Sequence, residues 1–191
     1  MAQVGFAEKF FGKKLALIEN EELRKLIINF FDSEVPDSFW TKPASSSGKY
    51  HPPFAAGEGG LVRHTLKAVE AAEELLVLQQ FKGYDKDMII ASLLLHDSFK
   101  YKDGADYTML NHPEKASDKF LEFAKKQPSY NENEYIIRDI CYCIRWHMGQ
   151  WSTKKLKEKE IPPSFLYEHI NFVQLCDYIA SREFFSNPFY R

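Results

Sequence analysis

Residues Met88–Lys100 read MIIASLLLHDSFK, an apolar run that breaks at a histidine and an aspartate. No apolar–polar alternation runs through it, so it reads as a helix, with Asp85 just upstream as a cap and His96 and Asp97 at its polar end. Upstream, Leu61, His64, Ala68, Ala71 and Leu75 recur at three- and four-residue steps, which turns His64 inward on another helix. Downstream, Asn111 and Glu114 form a capping pair, with Pro113 in the first turn of a helix running toward Lys126, so His112 sits at a helix start. Asn131 and Glu134 repeat the cap pattern before Ile136, Ile140 and Ile144, a stripe that continues to His147. A last helix from about Ser164 carries Ile170, Val173 and Asp177, with Asp177 on its buried face. No strand pattern of useful length and no internal repeat appears, and the fold class is therefore all-α.

Ahead of these helices, Pro36–Gly60 reads PDSFWTKPASSSGKYHPPFAAGEGG, where four prolines, four glycines and four serines interrupt any helical period. It reads as a long loop. Two roles fit it: a lid or wall beside a substrate site, or a solvated linker to a short N-terminal helical hairpin. TKKLKEKE, residues 153–160, reads as a solvated charged connection. SSSGK lacks the spacing and the preceding apolar strand of a phosphate-binding loop.

Composition bounds the remaining choices. With 191 residues, 45% hydrophobic and 27% charged, the chain is sized and balanced for one globular domain with an ordinary core. A formal charge of −2 gives no overall attraction to nucleic acid, so a polyanionic ligand would be held by a local basic patch or by metal ions. Cys141, Cys143 and Cys176 fall in no C-x-x-C spacing and read as small buried side chains, free thiols in a reducing cytosol. No leader-like start and no apolar stretch of ~20 residues is present, so no membrane is expected and a cytoplasmic location is.

Four of the six histidines, His64, His96, His112 and His147, join Asp97 and Asp177 on apolar faces or at helix ends. A lone histidine on an apolar face is more often a hydrogen-bonded core residue than a ligand, but the joint pattern reverses that preference. Burying two carboxylates costs several kcal/mol unless charge compensates them, and a divalent metal ion with neutral imidazoles is the compensation these residues offer.

The order His64, His96-Asp97, Asp177 resembles the H…HD…D signature of the HD-domain superfamily of metal-dependent phosphohydrolases. The likeness extends to GGLVRHT at Gly59–Thr65, similar to the approach to the first histidine helix in several HD nucleases, and to LLHDSFK at Leu94–Lys100. HPEKASDKFL from His112 resembles a segment of HD phosphodiesterases, and IRWHMGQW resembles their turn around His147. Together these stretches span roughly Gly59–Ser181. The resemblance implies a single-domain helical HD-type bundle, with residues 1–58 as an N-terminal helical segment and loop, 59–185 as the phosphohydrolase core and 186–191 as a tail. It implies that His64, His96, Asp97 and Asp177 hold one metal ion, that His112 and His147 complete a second site, and that Asp97 bridges the two. Mixed nitrogen and oxygen donors suit manganese, iron, cobalt, nickel or zinc better than calcium.

Lys100, one turn past the doublet, is expected to act with Asp97 in catalysis and to bind substrate phosphate. Arg63 is a further substrate-binding candidate. Lys49, His51 and Lys67 could also touch phosphate, and Thr65 could orient a ligand, each against the simpler reading of a solvated or supporting side chain. HD enzymes acting on small deoxynucleotides often carry Glu where Lys100 stands, a departure that points away from that branch. The expected reaction is hydrolysis of a phosphoester or phosphoanhydride in a nucleotide, cyclic dinucleotide or short nucleic acid by a metal-activated water. Aromatic residues near the ligands, Tyr50, Phe54, Tyr101, Tyr107, Trp146 and Trp151, offer faces on which a base could stack. Two other functions share the ligand set: a di-iron oxygenase and a non-catalytic nucleotide-binding module.

Overall fold

A computed structural model of the protein describes residues 5–47, 51–79, 81–102, 104–149 and 161–182. Eight α-helices make up the framework of the described residues: α1 (Phe6–Leu15), α2 (Glu21–Ser33), α3 (Asp37–Thr41), α4 (Gly60–Gln79), α5 (Tyr84–Leu95), α6 (His112–Ala124), α7 (Tyr130–Trp146) and α8 (Tyr167–Ala180). Among the described residues there is no β-strand, only an isolated antiparallel bridge between Tyr101 and Thr108. The fold is all-α. No helix among the described residues is long and apolar enough to cross a membrane.

The Met88–Leu95 run forms the centre of the molecule. Every residue from Asp87 to Leu95 is buried, because α5 packs against α4, α7 and α8 and no face of it is left to solvent. The helices around it have one apolar face each, and a single core extends from Ala7 in α1 to Ala180 at the end of α8. In the N-terminal part that core is aromatic: Phe11, Phe31, Phe39 and Trp40 lie with ring centroids 5.0–6.0 Å apart.

Carboxylates brace the N-terminal hairpin internally and tie it to this frame. Asp32 in α2 accepts the Gly5 and Ala7 amides and so satisfies the exposed start of α1. Buried Asp87 accepts the Glu19 and Asn20 amides at 2.8 Å, which fixes the α1–α2 corner against the first turn of α5.

Several local expectations are corrected. Asp85 is not the cap of α5: the helix begins at Tyr84 behind Gly83, whose φ of 53° is open to glycine without strain, and Asp85 faces His169 at 3.0 Å instead. Asn131 lies inside α7, which starts at Tyr130 after Ser129, and the polar residue at work there is buried Asn133, bonded to Asn20 and to the Ser129 carbonyl. Asn111 does stand at the cap position of α6, though its side chain makes no capping bond. The last helix opens with a 3₁₀ turn, Ser164–Leu166, before α8.

The stretch 36–60 is not structureless. It contains α3 and a 3₁₀ turn, Pro53–Ala55, and three backbone bonds dock it: Ala44 to Ala55, Gly59 to Thr41 and Leu61 to Lys42. Buried Phe39 and Trp40 supply the apolar anchor that outweighs the helix-breaking composition. Residues 153–160 and the tail 186–191 lie outside the described residues.

Candidate metal centre

Five helices deliver six side chains to one point. His64 comes from the first turns of α4, His96 caps the C-terminus of α5, Asp97 follows in the next turn, His112 opens α6, His147 caps the C-terminus of α7, and Asp177 comes from α8. The four histidines and Asp97 are at most 4% exposed, whereas Asp177 is 20% exposed.

Three of the rings are held the same way. The Nδ1 atoms of His96, His112 and His147 lie 2.7, 2.6 and 2.7 Å from the carbonyls of Leu93, Met109 and Ile144, each three residues earlier. A carbonyl only accepts, so each Nδ1 carries a hydrogen and each Nε2 is turned inward, free to ligate a metal ion once unprotonated. His64 also points Nε2 inward, 3.4 Å from Nε2 of His96 and 2.9 Å from Asp177 Oδ1. A backbone relay joins Lys100 to His112, since the Met109 amide bonds the Lys100 carbonyl at 2.8 Å and the Met109 carbonyl receives His112.

Asp97 divides its two oxygens. Oδ2 faces His96 and His64 at 3.4 and 3.6 Å, and Oδ1 faces His112 and His147 at 3.0 and 3.8 Å. The short approach to His112 lacks hydrogen-bond geometry, and Asp97 Oδ1 and His112 Nε2 are both buried without a hydrogen-bond partner. Three overlapping groups have donor atoms within 4.8 Å of one another: His64, His96 and Asp97; His96, His147 and Asp177; and Asp97, His112 and His147. His96 and His147 thus stand closer to a common position than the sequence-based division into two ligand sets implied.

The electrostatics call for positive charge. Burial opposes a proton on His96, but the carboxylates of Asp97 and Asp177 more than offset it and raise its pKa to about 10. Burial likewise works against the two carboxylates, yet Lys100 and His96 hold Asp97, and His64 and His96 hold Asp177, well below the usual range. His147 goes the other way, pushed down to about 3 by burial and by neighbouring His96. Two helices, α5 and α7, point their C-terminal ends at the cluster against the N-terminal end of α6, so the partial charges of the helix ends favour a cation on balance. Inward ring nitrogens, unpartnered buried donor atoms and two buried carboxylates fit a transition-metal centre.

Lys100 is 13% exposed and its Nζ lies 2.6 Å from Asp97 Oδ2. Arg63 does not join the cluster: its guanidinium donates to the carbonyls of Phe54, Ala56 and Glu58 and pins the turn that leads into α4. His51, which the sequence left as a solvated side chain by default, is instead largely enclosed, its ring edge-on to His64 with centroids 4.7 Å apart, and burial lowers its pKa to about 3. Only the contact shows this, because His51 follows a Ser/Gly-rich stretch with no periodicity to read. Thr65 is fully buried with an unpartnered hydroxyl, and Lys67 is exposed beside Glu70. Tyr101 is a core residue whose hydroxyl donates to the Pro43 carbonyl, so it offers no face to a ligand, whereas Phe54 and Tyr107 are exposed. Lys49, Tyr50 and Trp151 lie outside the described residues. All three cysteines are free and buried.

The chain matches no protein-family model, no curated protein and no solved structure, and the case for its chemistry rests on the geometry of the centre.

Proposed function

We propose that the protein is an HD-type metal-dependent phosphohydrolase that cleaves a phosphoester or phosphoanhydride bond in a nucleotide, cyclic dinucleotide or short nucleic acid. One observation carries the reading: a buried aspartate turns one oxygen to His64 and His96 and the other to His112 and His147. A carboxylate so divided is built to bridge. His64, His96, Asp97 and Asp177 would hold one ion, and His112 and His147 would complete a second site through Asp97. Bound there, divalent transition metals supply an acidified water and Lewis acidity toward a phosphoryl oxygen.

The chain's own groups do the rest. The carbonyls of Leu93, Met109 and Ile144 fix the tautomers of His96, His112 and His147 and hold the rings in place. The buried rings close the centre on most sides, and substrate reaches it past Asp177 and Lys100, the two members with appreciable exposure. An ammonium at that edge pairs with a phosphate oxygen and with negative charge that develops on it.

The test is metal analysis joined to turnover. Purified protein stripped and reloaded with manganese, nickel, cobalt or iron should retain metal at a fixed ratio to chain and release product from at least one of a nucleotide, a cyclic dinucleotide, a short RNA or bis-p-nitrophenyl phosphate. Failure to retain any metal overturns the centre. Oxygen consumption by the iron form, without phosphoester cleavage in any form, overturns the hydrolase.

A further inference from the structure

Asp97 Oδ2 has three neighbours of two kinds: two imidazole nitrogens, at 3.4 and 3.6 Å, and the Lys100 ammonium at 2.6 Å. While protonated, the ammonium has no lone pair and cannot be a ligand. It can only satisfy the carboxylate, at the same oxygen that faces His64 and His96. An ammonium and a divalent ion held at one oxygen repel each other strongly in so enclosed a site. Asp177, the other carboxylate, has no lysine or arginine paired with it among the described residues, only His64 and His96. The backbone of Lys100 is fixed at both ends, its amide on the Asp97 carbonyl and its carbonyl on the Met109 amide, so any exchange at Asp97 requires only that the side chain swing. Its partial exposure gives the four-carbon stem a way out to solvent.

We propose that Lys100 is a built-in counter-ion that occupies Asp97 in the metal-free protein and is expelled by metal loading, which sets the metal affinity of the centre and turns the ammonium toward the substrate edge. The inference rests on the metal-centre reading above. It assigns Lys100 a task before any substrate arrives: it spares the empty fold a buried, uncompensated carboxylate and makes each metal ion compete for it. Expulsion also delivers the ammonium to the open side only when metal is present, so the phosphate-binding cation and the metal centre become available together.

A thermodynamic cycle gives the sign. Removing the ammonium raises the free energy of the metal-free protein and leaves the loaded protein untouched at Asp97, so metal must bind more tightly by the same factor. A buried charge-assisted bond is worth about a tenfold change or more in a binding constant. Manganese(II) affinity, measured by competition with a fluorescent chelator, is therefore expected to be about tenfold or more tighter in Lys100→Met than in wild type, with Lys100→Arg close to wild type. Without metal, Lys100→Met should melt below wild type, and with saturating manganese the difference should shrink.

A second measurement needs no variant. In wild-type protein treated with an acetylating reagent, mass spectrometry should find Lys100 modified faster in the manganese-loaded form than in the stripped form. Unchanged or weaker manganese binding in Lys100→Met, or Lys100 labelling that does not rise on loading, overturns the counter-ion role while wild-type metal binding stands. Absence of manganese binding by wild type overturns the metal centre and this inference together.

Discussion

Asp97 is the residue on which the centre turns, since its two oxygens divide between the two histidine pairs. Asp97→Asn keeps the shape and an oxygen donor but removes the charge that holds two divalent ions together against their repulsion. Metal content measured on the purified variant should fall to half of wild type or less, whereas His112→Ala and His147→Ala should each leave about one ion per chain. Full occupancy with near-normal hydrolysis in Asp97→Asn, the helical circular dichroism being intact, would sink the bridging role. The cysteines give a contrasting prediction. Burial pushes Cys141, Cys143 and Cys176 up to about 12, so at pH 8 almost no thiolate exists and a disulfide reagent has no path to it. Native protein should react over hours and guanidinium-unfolded protein within seconds to minutes; three fast thiols in the native state would contradict the packing. At this scale the sequence was most informative about residues whose chemistry is expensive to bury. His64, His96, His112, His147, Asp97 and Asp177 are conspicuous on apolar faces, and all six converge. Lys100 was visible as a cation near the doublet, but its bond to Asp97 was not, because the choice between carboxylate and solvent depends on the three-dimensional surroundings of Oδ2. The enclosure of His51 was hidden for the same reason.

Among the elements, the approach to α4 positions the centre most directly, because it fixes the start of the helix that carries His64. Gly60 is its tightest point: a Cβ there would lie 2.1 Å from the Ala55 carbonyl oxygen and 2.9 Å from Cα of Pro43, both backbone atoms that cannot turn aside. Gly60→Ala should therefore destabilise by about 1–3 kcal/mol, and since a domain of this size loses about 2–4 °C of Tm per kcal/mol, the melting point should drop by several degrees. If Gly60→Ala melts with wild type, the docking of 53–60 on α4 is wrong. The role of Arg63, pinning that same turn through three carbonyls, explains why a cation beside the first histidine need not be a substrate ligand. The periodic helices were legible because burying one apolar stripe forces three- and four-residue spacing, as in α4 with Leu61, His64, Ala68 and Ala71 all buried. Helix starts were less so. At α5 and α7 no side chain caps the first turn, and the expected cap residues Asp85 and Asn131 lie inside the helices, so the sequence carried a plausible signal that tertiary packing overrode. The loop 36–60 misled in the opposite direction, because Phe39 and Trp40 outweigh the glycines and prolines around them by packing into the aromatic core.

For the whole molecule, the donors span residues 64 to 177 and five helices, so an unfolded chain cannot gather them and metal binding must couple to folding. At a free metal concentration of 100 times Kd the coupling is about 2.7 kcal/mol, or roughly 5–11 °C of Tm for a domain of this size. The pH dependence follows from protons already bound. In the metal-free protein His96 is raised to about 10, so its stabilising contribution is complete below its unfolded value near 6.5 and is lost as pH climbs from there toward 10. His51 and His147 are lowered to about 3, so their contribution is complete above 6.5 and is lost as pH falls from there toward 3. The stripped protein should consequently be most stable near pH 6.5, with Asp97 and Asp177 adding a steeper loss once pH drops into the carboxylate range. A metal ion competes with the proton on His96, so loading becomes more favourable as pH rises and compensates the alkaline loss. Differential scanning fluorimetry of stripped and manganese-loaded protein should therefore show a metal-induced rise in Tm that is larger at pH 8 than at pH 6. A rise of equal size at both would mean that metal and the His96 proton do not share a position, and that the ion binds elsewhere on the chain.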